Sequence, residues 1–275
     1  MLYTSPFLKK QTSFYKKQEE AKGAFQEKFV PKPVHPEDNG KKQQPPVFWY
    51  RARVTKDADV RFLSHLEYAD AFLRAFDRAK LPMAYSEGFN PHMKVAFGSA
   101  LAVGVSSEAE YMDFALRKPL AQPEVFDRLR AQLPPGIRVL KLTEIKGRHI
   151  ALMNLADEAR YHVRVPLHGD AEKAAKAAQE AIAKFNAATE VIYTRVTPKK
   201  TRTKDIKKFL GAPLTASIEG GTLAMDIATK ILGTTGSVKP GEILETLAKE
   251  FALPITVAEA DIHRIALLGK GKDLI

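Results

Sequence analysis

The hydrophobic spacing of this chain switches between the strand period of two residues and the helical period of about 3.6, twice over and in the same order. From Trp49 the residues alternate strictly. Tyr50, Ala52 and Val54 fall on one face and Trp49, Arg51 and Arg53 on the other, which predicts a half-buried strand. Ser64-His65-Leu66-Glu67 has the Ser-x-x-Glu form of a capping box. The helix it opens stacks Leu66, Ala69, Phe72, Leu73, Phe76 and Ala79 on one side and closes before Pro82. Strands are expected at residues 93–97 and 109–116. A second helix starts near Pro123 and presents Val125, Phe126, Leu129 and Leu133, and a strand follows over 137–145. The order β-α-β-β-α-β is the split arrangement of a ferredoxin-like domain.

The second half follows the same plan without visible sequence repetition. A strand is expected at 161–165, an alanine-rich helix after Asp170, and a strand at 191–196. A hairpin turns at Gly220-Gly221, a helix opens at Pro240, and a last strand or strand pair lies within 255–268. One strand is surplus to a simple ferredoxin-like domain. The expected fold is therefore α+β, with two tandem ferredoxin-like (βαββαβ) domains at 47–150 and 151–275. Residues 1–46 precede them as a flexible tail. This tail mixes Lys, Gln and Glu with six prolines and scattered aromatics, too little apolar surface to offset the entropy of ordering it. It is either a disordered extension or a tether for a partner, with a short helix near 18–29 allowed by the pattern.

The chain has no cysteine, so a disulfide framework, a thiolate zinc site, a cysteine nucleophile and a cysteine-ligated iron–sulfur cluster are excluded within it. The apolar run at 100–105 is far shorter than the roughly 20 residues a bilayer demands. The first ten residues lack the apolar centre of a secretory signal. A cytoplasmic protein with no membrane contact is expected. The formal net charge is +11, and one segment concentrates it. Lys199, Lys200, Arg202, Lys204, Lys207 and Lys208 surround a single acid, Asp205, for a local charge of +5, whereas the rest of 151–275 sums to −2. A phosphate-contacting loop is the natural use of such a segment, and a merely solvated loop is its alternative.

Three further sets of residues attract attention. The loop Tyr85-Ser86-Glu87-Gly88-Phe89-Asn90-Pro91-His92 is dense in turn formers and polar groups. Its His92 suits acid–base chemistry or a phosphate contact, or else it and Asn90 fix the loop's own backbone. His65 stands at a helix start, where it either donates to an anion or packs over the first turn. His65, His92 and Glu87 lack metal-ligand spacing, and no metal site is assigned. Finally, the first and third strands of a ferredoxin-like sheet are central neighbours. Trp49, Arg51 and Arg53 would then share an open face with Tyr111 and Asp113, as on sheets that stack and grip RNA. A cross-strand Arg–Asp pair shielded by aromatics, or burial at a domain interface, is the rival reading.

The runs Arg61-Phe62-Leu63-Ser64-His65-Leu66-Glu67, Leu81-Pro82-Met83-Ala84-Tyr85-Ser86-Glu87-Gly88-Phe89-Asn90-Pro91-His92 and Gly104-Val105-Ser106-Ser107-Glu108-Ala109-Glu110-Tyr111-Met112-Asp113 together resemble a radical-SAM-linked domain family of unknown function. The likeness covers about 48–146 closely. It extends loosely over 201–210 and Ile262-His263-Arg264. Met93 stands where that family has a proline, and a long tail replaces a fused radical-SAM domain.

The resemblance implies a radical-SAM protein with a cobalamin-binding region as partner in trans, in an RNA-related setting, with no cofactor in this chain. It supplies no activity. The expectation is an RNA-binding accessory protein, not a stand-alone enzyme, contacting tRNA or rRNA through Arg51, Arg53, Tyr111, His92 and the 199–208 bases. Two alternatives stay open. One is a metal-independent endoribonuclease using His65 or His92. The other is a protein-only scaffold for the radical-SAM partner.

Overall fold

The computed structural model describes residues 46–87, 89–197 and 200–275; the expected tail up to Pro45, Gly88, Pro198 and Lys199 lie outside them. Strand β1 (Phe48–Lys56) carries the alternation into a buried face of Tyr50, Ala52 and Val54. Helix α1 (His65–Arg78) opens with both arms of its capping box made: Ser64 Oγ accepts from the Glu67 N–H, and Glu67 accepts from the Ser64 N–H. Its buried stripe is Tyr68, Phe72, Ala75 and Phe76, and Leu66 stands 76% exposed. Phe72, Phe76 and Ala79 are buried as the spacing predicts, while Tyr68 takes the inward place expected of Leu66, its hydroxyl donating to Thr55 O (2.8 Å).

Short β2 (Val95–Phe97) and long β3 (Val105–Leu116) follow, then α2 (Gln122–Arg130) with proline in its first turn, and β4 (Val139–Glu144). In the second half come β5 (Glu158–Pro166) and α3 (Ala171–Ala187), capped by Asp170. β6 (Ile192–Thr197) pairs with β7 (Lys200–Asp205), and β8 (Thr215–Glu219) with β9 (Thr222–Lys230). Helix α4 (Pro240–Glu250), β10 (Asp261–Gly269) and β11 (Lys272–Asp273) complete the order.

These elements make an α+β structure around one large mixed sheet, in the order β4-β1-β3-β10-β5-β9-β8, with β2 beside β3 and β11 beside β10. The halves are not stacked face to face. They meet edge to edge where β3 and β10 run parallel, Val105 opposite Ile262 and Ser107 opposite Arg264. One hydrophobic core joins α1 and α2 to Tyr50, Ala52, Val54, Met112, Phe114 and Leu116. The other joins α3 and α4 to β5, β9 and β10, and it also takes Val105, Ala109 and Tyr111. Strand β3 thus feeds alternate residues to the two cores, and the helices of the two halves lie on opposite faces of the sheet.

The basic segment is not a loop. Residues 200–205 form a strand because Thr201 and Thr203 alternate with bases and meet β6 in register, from Ile192 opposite Asp205 to Thr197 opposite Lys200. This β6–β7 ribbon is a separate two-stranded sheet, which accounts for the surplus strand.

Candidate nucleic-acid interface

The shared face of β1 and β3 is built as expected in register but is not open. Arg51 sits opposite Asp113 and makes a two-pronged ion pair with it: Nε to Oδ1 at 2.7 Å and Nη2 to Oδ2 at 2.8 Å. Its remaining N–H groups donate to Leu274 O and Ile150 O, both at 3.0 Å. His149 Nε2 lies 2.8 Å from Asp113 Oδ2, and its ring stacks on Trp49 at 3.9 Å between centroids. The Tyr111 hydroxyl donates to Asp273 (2.7 Å), which also receives Arg53 at 3.2 Å. Burial, and then this bond to a carboxylate, drive the phenol's pKa far above its usual value.

Arg51 keeps 6% and Tyr111 2% of their surface. Of the three RNA contacts anticipated on this face, these two are closed off from a polymer, and Arg53 is held at its Nε by Glu108 O as well. The face is closed by the 149–150 segment and by 273–275 folding back from β10. The rival reading of a shielded Arg–Asp pair therefore describes this face.

The 85–92 loop is tied at its neck. Tyr85 bridges Met93, the Ser86 N–H donates to His92 O (2.7 Å), and the His92 N–H donates to Ser86 Oγ (2.9 Å). Ser86 therefore does the fixing that Asn90 and His92 were expected to do. Arg117 lies over the Tyr85 ring, and Glu87 is exposed. Phe89, Asn90 and His92 are exposed. His65 stands elsewhere, at the start of α1, edge-on to Phe97 at 5.5 Å. Among the described residues no hydrogen bond joins it to His92, and no group of three or more His, Asp or Glu is placed to hold a metal ion.

Beside His65 is a cavity of about 10 Å³, room for one water, lined by Lys56, Tyr68, Phe97, Ser99, Leu101 and Glu110. Glu110 continues into a buried ion pair with Arg264 (3.0 Å), whose guanidinium also donates to the Tyr161 hydroxyl (3.1 Å) and Ser99 O (3.3 Å). Burial lowers the Lys56 pKa against the pull of Glu110. Burial and the Glu110 charge raise that of Tyr68 well above normal. Sequence reasoning singled out neither Lys56 nor the Glu110–Arg264 pair. Glu110 and Arg264 did fall inside motif runs, but their meeting depends on β3 finding β10 across the chain.

The ribbon divides the basic residues into two groups. Lys207 Nζ donates to the last carbonyls of α3, Phe185 O (3.0 Å) and Asn186 O (3.1 Å), and caps that helix end. Lys204 Nζ is bound by Glu242 (2.9 Å) and Ser237 O (3.0 Å). Both are structural. Lys208 is well exposed, 3.7 Å from Asp205. Beyond Lys204, Arg202 is exposed and lies directly opposite Arg195, which sequence reasoning passed over. Residues 192–204 contain no acid, and among the described residues neither arginine has an ion-pair partner. The signal was present: Arg195 alternates with Tyr193 and Thr197 just before the basic run, and strand pairing sets it against Arg202.

The match to the family described as "Uncharacterized protein conserved in bacteria (DUF2344)" spans residues 49–240. No curated protein matches the chain. Among solved structures, the chain is similar to a Cbf5-Nop10-Gar1 complex, with 12% identity and a TM-score of 0.43, covering 80% of this chain and 50% of that one. It is similar to an H/ACA RNP bound to a substrate RNA containing 2'-deoxyuridine, with 14% identity and a TM-score of 0.40, covering 78% of this chain and 46% of that one. It is also similar to an unknown protein from Galdieria sulphuraria, with 13% identity and a TM-score of 0.24, covering 80% and 98%. The chain thus spans about half the length of the first two. The family match takes in β1 to β9 with the motif loop and the ribbon, and the chain belongs to the DUF2344 family of uncharacterized proteins conserved in bacteria.

Proposed function

We propose that this protein is an RNA-binding accessory factor that works beside a separate radical-SAM enzyme in the modification or processing of tRNA or rRNA, in the cytoplasm. On this reading the two halves are ferredoxin-like units, with strand orders β4-β1-β3-β2 and β10-β5-β9-β8, and the chain carries no cofactor of its own. The observation that carries the RNA contact is the outer part of the β6–β7 ribbon. There, exposed Arg195 and Arg202 stand side by side with no acid between Ile192 and Lys204. Lys199, Lys200 and Lys208 extend the same charge along the sequence. His92 and its loop are a second contact, separate from the buried Arg51 and Tyr111. The radical-SAM partner rests on the three motif runs of the sequence, and no helix among the described residues is long and apolar enough to cross a membrane.

Filter binding of bulk tRNA and of rRNA fragments, repeated across a salt series, tests the RNA contact. Affinity falling steeply with salt is expected, since the bases would displace counterions from phosphates. Absent binding, or binding indifferent to salt, would contradict it. Co-purification with a radical-SAM protein after nuclease treatment tests the partnership separately.

A further inference from the structure

We infer that the β6–β7 ribbon is built to grip double-helical RNA by its phosphate backbone, without reading sequence and without capturing single strands; this rests on the RNA reading above. The first support is rigidity. At the root, Val191 and Ile206 are buried, the Ile206 N–H donates to Val191 O (2.8 Å), and Asp205 accepts from the Val191 and Lys207 N–H groups. One step out, Tyr193 is held by Glu245 (3.1 Å) and Lys204 by Glu242, both on α4. The arm therefore leaves the body from a fixed base, as a rod about 17 Å long at the usual strand rise.

The second support is the division of its faces. Alternation puts Tyr193, Arg195, Arg202 and Lys204 on one side, and Ile192, Thr194, Val196, Thr201 and Thr203 on the other. Single-stranded RNA is held chiefly by bases stacking on aromatic rings. Tyr193 is the one aromatic residue of the ribbon; it sits at the root with its hydroxyl engaged by Glu245, and burial with the Glu245 charge pushes its pKa up to about 12. The outer ribbon offers cations and threonine hydroxyls, which suit phosphate oxygens and 2'-hydroxyls. The third support is the opposed arginine pair. Like charges directly across a strand pair oppose each other in the free protein. The mutual repulsion of two guanidinium groups held side by side is relieved by phosphate charge, which an uncharged base cannot supply.

Fluorescence anisotropy of the intact protein with an RNA stem-loop, and with an oligo-uridine strand of equal phosphate count, separates the cases. The stem-loop is expected to bind roughly tenfold more tightly, and the Arg195→Ala/Arg202→Ala variant to lose that advantage and flatten the log–log salt slope by about two. Thermal melting of the variant at or above the wild-type midpoint shows that the loss is not unfolding. Equal or tighter binding of oligo-uridine, or an unchanged stem-loop affinity in the variant, overturns the inference while leaving RNA binding standing. Wild-type protein that binds neither probe overturns the RNA reading itself.

Discussion

At the scale of single residues, the chain commits its charges to two opposite uses. Arg264 and Glu110 are enclosed at the β3–β10 seam, where each neutralises the other and the guanidinium's remaining bonds go to Tyr161 and Ser99. Removing one partner leaves a buried charge without its mate, so Glu110→Gln is expected to cost about 3 kcal/mol, read by urea unfolding followed by circular dichroism. Asp273 is poised differently. Burial alone would raise its pKa, yet the Tyr111 hydroxyl, the Ile275 N–H, Arg53 and Lys141 together hold it below the ordinary 3.8. A depressed folded value means that its contribution is complete above the unfolded value and disappears as pH falls through the folded one. Melting temperature measured below pH 3.8 should therefore drop less steeply in Asp273→Asn than in the wild type. These pairings were only half legible. Arg51 with Asp113 could be anticipated from strand alternation, but the segments that roof them carry no local signal that says where they fold back.

At the scale of elements, the ribbon holds an unfavourable pairing that the proposed RNA contact would relieve. Arg195 faces Arg202 across an antiparallel pair with no ion-pair partner among the described residues, an arrangement that costs the folded state on the order of 0.2–1 kcal/mol. Arg202→Thr is thus expected to raise the melting midpoint slightly while weakening RNA binding several-fold; a variant that melts lower and binds equally would remove the ribbon's role. Helix α1 shows how much local sequence can settle, since its capping box forms in full. The basic run shows where it fails. Read by charge alone it looks like a loop, and its six cations look equivalent. Threonine alternation makes it a strand, and the bonds of Lys204 to Glu242 and of Lys207 to the end of α3 convert two of the six into fasteners.

At the scale of the whole unit from Pro46 to Ile275, order along the chain was readable and assembly was not. Each half announces its strands and helices through local periodicity. The parallel union of Val105–Ser107 with Ile262–Arg264 joins segments more than 150 residues apart and is decided by which edges are left to pair. That union, with the roof over β1, turns the anticipated RNA platform into closed structure and leaves the ribbon as an exposed cationic feature among the described residues. Trp49, the single tryptophan, is stacked on His149 within that roof. Its emission is expected to stay unchanged when RNA binds, and strong quenching would return the interface to the β1 face.

Hydroxyl-radical footprinting of the intact protein, with and without bound tRNA or rRNA and read by mass spectrometry, decides where the RNA lies. Protection within residues 192–208 is expected, with any second protected cluster at the His92 loop. Protection confined to the Trp49 strand and Tyr111, or a ribbon oxidised equally with and without RNA under conditions where RNA is bound, would contradict the ribbon as the RNA contact.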